Sequence, residues 1–289
     1  MTEALPEPPP FRYPPPASRL RWWKEVIYIV AFYGVYSFIR NTQGSAIVSA
    51  DHAFSHARAV IRVERALGLF FEERLQDAFL DWRWFIQFWN LFYGTFHFVV
   101  TVVALVLLFR RFPARYPRWR NTLAATTALA LIGFATYPLM PPRLLPASYG
   151  FVDTLRVFGG LWDFDSGPVA QVSNQYAAMP SLHFAWSAWS ACVLFPMLRR
   201  PWSRALILLY PAITTFAIVV TANHYWLDAA GGALVLLFRR FPARYPRWRN
   251  TLAATTALAL IGFATYPLMP PRLLPASYGF VDTLRVFGG

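Results

Sequence analysis

The chain is poor in cysteine, lysine and acid. Of its 289 residues one is a cysteine, Cys192, and one is a lysine, Lys24. A single thiol excludes an internal disulfide and a four-cysteine zinc site, and its place in an apolar run predicts packing rather than chemistry. Charged residues make up 14% of the chain, while 56% is hydrophobic and 18% aromatic. Ordinary soluble domains carry about 25% charged residues, so this balance argues against one, and the hydrophobic content excludes a disordered polymer. Acidic residues number 14 against 27 basic ones, leaving a formal charge of +13. On a soluble protein that excess would point to nucleic acid. Here the arginines stand in short clusters between long uncharged runs, which predicts a lipid bilayer as the partner and no nucleic acid.

Roughly 20 apolar residues cross a bilayer as a helix. The stretches 26–39, 84–109, 121–142, 166–198, 205–223 and 224–238, the last broken by Asp228, supply six candidate spans. They predict an all-α polytopic integral membrane protein with a six-helix core, the first and sixth spans borrowing flanking residues. Trp22, Trp23, Trp82 and Trp84 stand at expected span ends, where amphipathic rings prefer the interface. Residues 1–24 carry seven prolines and read as a disordered arm, so the membrane-embedded domain is expected over 25–238. Residues 58–80 mix charge with apolar residues at helical spacing, which predicts packing on the membrane surface or on the bundle rather than crossing.

A cleaved signal peptide is the alternative for the first span, since Arg19, Arg21 and Lys24 precede it and Val48-Ser49-Ala50 resembles a cleavage site. The aromatic-rich run and the spans that follow favour a retained helix. Basic residues cluster before the first span, between the second and third (Arg110, Arg111, Arg115, Arg118, Arg120), and between the fourth and fifth (Arg199, Arg200, Arg204). Alternation places all three clusters, and the N-terminus, on the cytoplasmic side of the cell membrane. The segments near 141–180 and 223–228 then face outward.

Residues 104–160 recur without a substitution as residues 233–289. Structural repeats diverge, and this unit begins inside one helix and stops inside a loop, so it is no supersecondary module. It reads as a recent duplication or an assembly error at the shared Ala-Leu-Val-Leu-Leu. The copy brings seven arginines and one aspartate, and its helix near 250–270 is expected as a seventh span.

Ionisable groups in or beside membrane spans are expensive and therefore functional candidates. His224 and Asp228 are four apart, one face of a helix, where the carboxylate can fix the imidazole tautomer. They fall at the outer junction of the fifth and sixth spans. On the same side stand Met179-Pro180-Ser181-Leu182-His183, opening the fourth span, and Pro141-Pro142-Arg143, closing the third. Two histidines, an aspartate, an arginine and a serine at a helix N-terminus are the parts for phosphoryl transfer. Backbone N–H groups and a guanidinium bind phosphate oxygens, one imidazole attacks phosphorus and another protonates the leaving oxygen.

At these residues the chain resembles the type 2 phosphatidic acid phosphatase superfamily, and within it the branch related to fungal inositol phosphorylceramide synthase. Asn174-Gln175-Tyr176-Ala177-Ala178-Met179-Pro180-Ser181-Leu182-His183 looks like the branch's second signature. Thr221-Ala222-Asn223-His224-Tyr225-Trp226-Leu227-Asp228 with Gly231 looks like its third, and Tyr137-Pro138-Leu139-Met140-Pro141-Pro142-Arg143 resembles the first. The resemblance implies His224 as a nucleophile forming phosphohistidine, Asp228 as its orienting partner, and His183 as acid for the leaving group. It implies Arg143 and Ser181 as phosphate ligands, a lipid or polyprenyl phosphate as substrate, and a reaction with neither metal nor cofactor. Thr136 and Ile218 stand where the classical phosphatases have a lysine and an arginine, which leaves less positive charge at the phosphate and favours the inositol-transferase-like branch.

Asn90, Tyr93 and His97 share one face of the second span, read either as interhelical glue or as a polar wall for the acceptor or head group. Asp51, His52 and His56 lack a further ligand for a metal and read as structural. Asp163 and Asp165 read as a solvated outer loop. Two rival functions are a small-molecule transporter, which would gather polar groups near the midplane, and a catalytically inactive membrane protein.

Overall fold

The structure is a computed structural model that describes residues 20–43, 48–159 and 174–240. Most of the Pro-rich arm, Asp163, Asp165 and the copied helix near 250–270 lie outside the described residues. Within them the fold is all-helical, without strands and with a single isolated bridge between Leu139 and Ala177. The helices are α1 (Trp22–Gln43), α2 (Ala50–Ala66), α3 (Glu72–Leu80), α4 (Arg83–Arg111), α5 (Tyr116–Thr136), α6 (Thr154–Phe158), α7 (Leu182–Leu194), α8 (Pro201–Val220) and α9 (Trp226–Arg240).

Two of these, α4 and α8, are long and apolar enough to cross a membrane. At a rise of 1.5 Å per residue, α4 is about 43 Å long, more than a hydrocarbon core of about 30 Å. Its outer face leaves Phe88, Phe96, Phe98, Val99, Val102 and Val103 exposed, and α8 exposes Leu206, Leu208 and Leu209. The tryptophans at 22, 23, 82 and 84 are exposed as well.

Prolines set where the other expected spans stop. The third was expected to run to residue 142, but α5 ends at Thr136, because Pro138 can neither donate to a helix nor let its predecessor stay helical. Residues 137–141 lie outside any helix, with an isolated bridge from Leu139 to Ala177. The fourth was expected over 166–198; its residues 166–173 lie outside the described residues, and of 174–198 helix α7 occupies Leu182–Leu194 and closes in a 3-10 turn at Pro196. Cys192 was expected to pack and is instead exposed on α7. Val48-Ser49-Ala50 is a helix start: the Ser49 hydroxyl accepts the His52 N–H at 3.3 Å and caps α2.

The short α7 is the centre of the bundle, packed against α4, α5, α8 and α9, whereas α1 packs on α5. Its contacts combine small residues with polar pairs between helices, the means by which helices associate when the surroundings are as apolar as the side chains. The Ser190 and Thr101 hydroxyls bond at 3.2 Å, the Trp186 indole donates to Thr127 Oγ1 at 3.0 Å, and the fully buried Trp189 donates to the Trp119 carbonyl at 3.1 Å.

The two ends of the bundle differ in kind. At one end the α4–α5 and α7–α8 junctions meet across a cleft lined by Arg111, Phe112, Met197 and Arg199, and Glu25 of α1 pairs with Arg120. The basic clusters thus gather there. At the other end lie the N-termini of α7 and α9, covered by α2, α3 and the segment 137–159. Residues 58–80 fall in two helices, and of the two placements expected for them, on the membrane surface or on the bundle, they take the second. The α2 residues Ala53, Ala57, Val60 and Ile61 pack with Tyr137, Leu139, Met140, Ala178 and Tyr225 into a buried cluster, so this segment caps the bundle.

Two glycines let the Pro180–His183 segment lie close against its neighbours. A Cβ on Gly232 of α9 would run into the Ser181 carbonyl oxygen, and one on Gly133 of α5 would sit 2.6 Å from Pro180 Cδ. Gly34 of α1, with nothing within 4 Å of its would-be Cβ, is the control. Gly232→Ala is expected to lower stability by about 1–3 kcal/mol as an overpacking change. Gly34→Ala should leave it unchanged to within about 0.5 kcal/mol, both measured by thermal denaturation in detergent.

Candidate active site

Each histidine is placed by a local device. Ser181 caps α7, its hydroxyl accepting the Phe184 N–H at 3.4 Å, which leaves His183 in the helix's first turn. At the end of α8 the chain reverses through Ala222, whose φ of +55° is left-handed, and the Asn223 and His224 N–H groups return to the Ile218 carbonyl at 2.9 and 3.1 Å. That closure satisfies a helix-end carbonyl and delivers His224 two residues before α9 begins. The Ser181 N–H then donates to the Asp228 carbonyl at 2.9 Å, so α7 and α9 start side by side.

The imidazoles are brought together as a result. His224 Nδ1 lies 3.1 Å from Asp228 Oδ2, and His224 Nε2 lies 3.3 Å from His183 Nδ1. Asp228 Oδ2 also accepts the Tyr225 N–H at 3.0 Å. An acceptor at Oδ2 places the His224 proton on Nδ1 and leaves the Nε2 lone pair free, aimed at His183. The ring centroids are 5.3 Å apart. Asp228 is fully buried and His224 is 4% exposed, so water cannot compete for either bond.

Tyr93 and His97 of α4 line the same place. The Tyr93 ring stacks on His183 with centroids 4.3 Å apart, and His97 meets it edge-on at 4.2 Å. Asn90 does not join them, although it shares their helix face. Its amide donates to the Thr154 and Gly159 carbonyls at 2.9 and 2.8 Å and accepts from the Thr154 hydroxyl at 2.8 Å. It anchors segment 152–159 to α4 rather than forming a polar wall with the other two. The reason is reach: α6 passes over the N-terminal part of α4, one turn before Tyr93.

Arg143 sits in a 3-10 turn, Pro142–Leu144, whose Arg143 N–H donates to the Ala222 carbonyl at 2.8 Å. The turn is thereby docked on the reversal that carries His224. Its guanidinium pairs with Asp153 Oδ2 at 2.8 Å while Nε has no partner, and it acts electrostatically on Tyr93. Asp153 is a residue that sequence reasoning missed, as are Glu64, Glu72 and Gln76 at the buried site end. The single available signal was polarity at helical spacing in residues 58–80. Gln76 clamps the segment bearing Asp153, donating to the Val152 carbonyl at 3.0 Å and accepting its N–H at 2.9 Å.

His52 and His56 stand against each other with centroids 4.6 Å apart. His56 Nδ1 bonds the Pro138 carbonyl at 2.8 Å and its ring stacks on Tyr137 at 4.0 Å; burial holds its proton affinity below the ordinary histidine value. Its ring is engaged in holding residues 137–138. Among the described residues no group of three or more His, Cys, Asp or Glu side chains could hold a metal ion.

Because Asn90 makes three buried hydrogen bonds that a methyl cannot replace, Asn90→Ala is expected to cost about 2–4 kcal/mol. Thermal denaturation in detergent measures it. A drop in stability too small to detect would mean that segment 152–159 is held elsewhere.

Comparison with curated proteins and with solved structures returns no match. A family model described as the PAP2 superfamily matches residues 58–238, more than half of the chain and all of the site, and matches again over 233–288 within the copied segment. The chain therefore belongs to the PAP2 superfamily, whose members are metal-independent phosphoric ester hydrolases and phosphotransferases.

Proposed function

We propose that the chain cleaves or transfers the phosphate ester of a membrane lipid or polyprenyl carrier through a phosphohistidine on His224. The observation that carries this reading is the line Asp228–His224–His183, with contacts of 3.1 and 3.3 Å among buried side chains. In the first step the His224 Nε2 lone pair forms a bond to phosphorus, and the ester P–O bond breaks. His183 gives its proton to the leaving oxygen. In the second step water or an alcohol attacks the phosphorus, returns a proton to His183 and restores His224. Asp228 stabilises the imidazolium character that grows as Nε2 bonds. A near-attack phosphorus stands about 3 Å from Nε2, where His183 now lies, so the two rings part as the phosphate enters.

Arg143, with its unpartnered Nε, the Ser181 hydroxyl proton and the free N–H groups of the first turn of α7 supply donors for the phosphate oxygens. Asp153 neutralises part of the guanidinium charge. Together with Thr136 and Ile218 in place of basic residues, this makes a weakly positive phosphate site, which supports the inositol-transferase-like branch over the classical phosphatases. Tyr93 and His97, not Asn90, form the wall nearest the leaving group or acceptor.

Six spans, counted as α1, α4, α5, α7 with its flanks, α8 and α9, put the basic end in the cytoplasm by the positive-inside rule and open the site outward. The apolar exposed faces of α4 and α8 support that setting.

Incubation of the detergent-solubilised chain with 32P-labelled phosphatidic acid, followed by acid-stable and acid-labile phosphate analysis, tests the intermediate. His224→Ala should abolish both label and turnover, and Asp228→Asn should lower the rate by about 100-fold or more while the fold is kept. His183→Ala should slow esters with poor leaving groups far more than activated aryl phosphates, since only the former need a proton. Equal losses on both would remove His183 from the acid role, and undiminished labelling of His224→Ala would overturn the reading.

A further inference from the structure

Neither α2 nor α3 carries a residue of the phosphoryl site, yet each places a buried carboxyl group against its foundation. Glu64, one turn from the end of α2, and Glu72, the first residue of α3, are both fully buried. The chain between them reverses at Gly68, with φ +70°, and the two carboxyl groups face each other within hydrogen-bonding reach. Glu64 Oε1 accepts the Leu227 N–H at 2.9 Å. Asp228 Oδ2 takes the Tyr225 N–H at 3.0 Å.

Two of the N–H groups at the start of α9, those of Tyr225 and Leu227, are thus answered by carboxyl groups. A helix leaves its first N–H groups without internal partners, and a side chain next to the helix start usually meets them. For Leu227 the partner instead comes from a residue 163 positions earlier. Two carboxylates this close in an apolar interior do not both ionise. Burial, with Glu72 and Asp228 nearby, pushes Glu64 up to about 10, and burial raises Glu72 as well. Apolar residues in their place would leave the Leu227 N–H buried and unpaired, at about 1–3 kcal/mol. Asp228 is the next residue along.

We propose that Glu64 is a positioning residue for the His224 reaction: its buried carboxyl group, with Glu72 beside it, fixes the first turn of α9 and, through it, the angle at which Asp228 meets His224. This rests on His224 as the nucleophile. Angstrom-scale misplacement of an oriented group costs up to about 100-fold in rate, so a loosened first turn would be read as turnover without loss of substrate binding.

The test uses the full chain in detergent with two readouts. One is kcat and KM on 32P-labelled phosphatidic acid. The other is the Nδ1 proton resonance of His224 in 15N-histidine-labelled protein, assigned by its disappearance in His224→Gln. Glu64→Ala is expected to lower kcat by about 30-fold with KM within about twofold, and to shift the resonance. Glu64→Gln keeps an oxygen for Leu227 and an N–H for Glu72, and should bring kcat back to within about threefold with the resonance restored. If Glu64→Ala does not fold, Glu64→Asp decides, because it stays an acid but withdraws the oxygen by one methylene; about a tenfold loss with a shifted resonance is expected. Unchanged kcat and resonance in Glu64→Ala or Glu64→Asp overturns the proposal, as does a Glu64→Gln that loses as much as Glu64→Ala. The resonance does not depend on turnover. A chain that releases no phosphate but shows the resonance pattern would overturn the enzymatic reading and leave the positioning standing.

Discussion

A carboxylate without exposure to water at the mouth of an apolar bundle must be met by donors, and Asp228 is that carboxylate. Its side chain takes the His224 ring and the Tyr225 N–H, and its carbonyl takes the Ser181 N–H. An unanswered charge there would be strongly destabilising. Meeting it forces the α8–α9 reversal, the start of α7 and the start of α9 into one place. The other features of this end follow from that convergence. Gly232 and Gly133 permit the approach, Tyr225 ties the reversal to the Met140 carbonyl at 3.0 Å, and α2 with α3 closes the end from outside.

The two ends of the bundle divide labour by charge. Arginines collect at one end, where a guanidinium can reach water or lipid phosphate without burial. The opposite end holds histidines, the exposed arginines of α2 and α3 (Arg58, Arg62, Arg65 and Arg74), the mostly buried Arg143, and the buried acids Glu64, Glu72 and Asp228. Arg143 is tempered by Asp153, so the pocket presents hydrogen-bond donors more than net positive charge. Donors arranged before the substrate arrives need no reorganisation as charge develops on a transferring phosphoryl group.

The candidate residues that the fold brings together could be read from short motifs. His224 with Asp228, His183 after Pro180-Ser181, and Arg143 after two prolines each lie within about one helical turn of the device that positions them. Helical spacing and capping rules therefore reached them. The lengths of the third and fourth spans were misread, because hydropathy continues through Pro138 and Pro196 while helical hydrogen bonding does not. Asn90 was grouped with Tyr93 and His97 by spacing alone. Its partners, Thr154 and Gly159, come from a segment whose path no local pattern announces. Glu64, Glu72 and Asp153 went unnoticed for the same reason: on a one-dimensional reading a buried acid and a solvated acid are the same letter.

The copied pentapeptide Ala-Leu-Val-Leu-Leu separates what sequence decides from what tertiary structure decides. It is helical both at 104–108 in α4 and at 233–237 in α9, as a run of strong helix formers around one valine should be. In α4 Ala104 and Leu108 are buried, the latter 1% exposed, against α5 and α7 side chains. In α9 the equivalent of Leu108, Leu237, is 52% exposed and Leu236 is buried instead. An apolar helix has no preferred inner face of its own, because every side of it can leave water. Which side is covered depends on the neighbours already in place. The sequence alone determined that these segments are helices and marked His183, His224, Asp228 and Arg143 as candidates for one site. Only the packing of α7 among four helices decided which faces meet, and so which acids and donors stand behind His224.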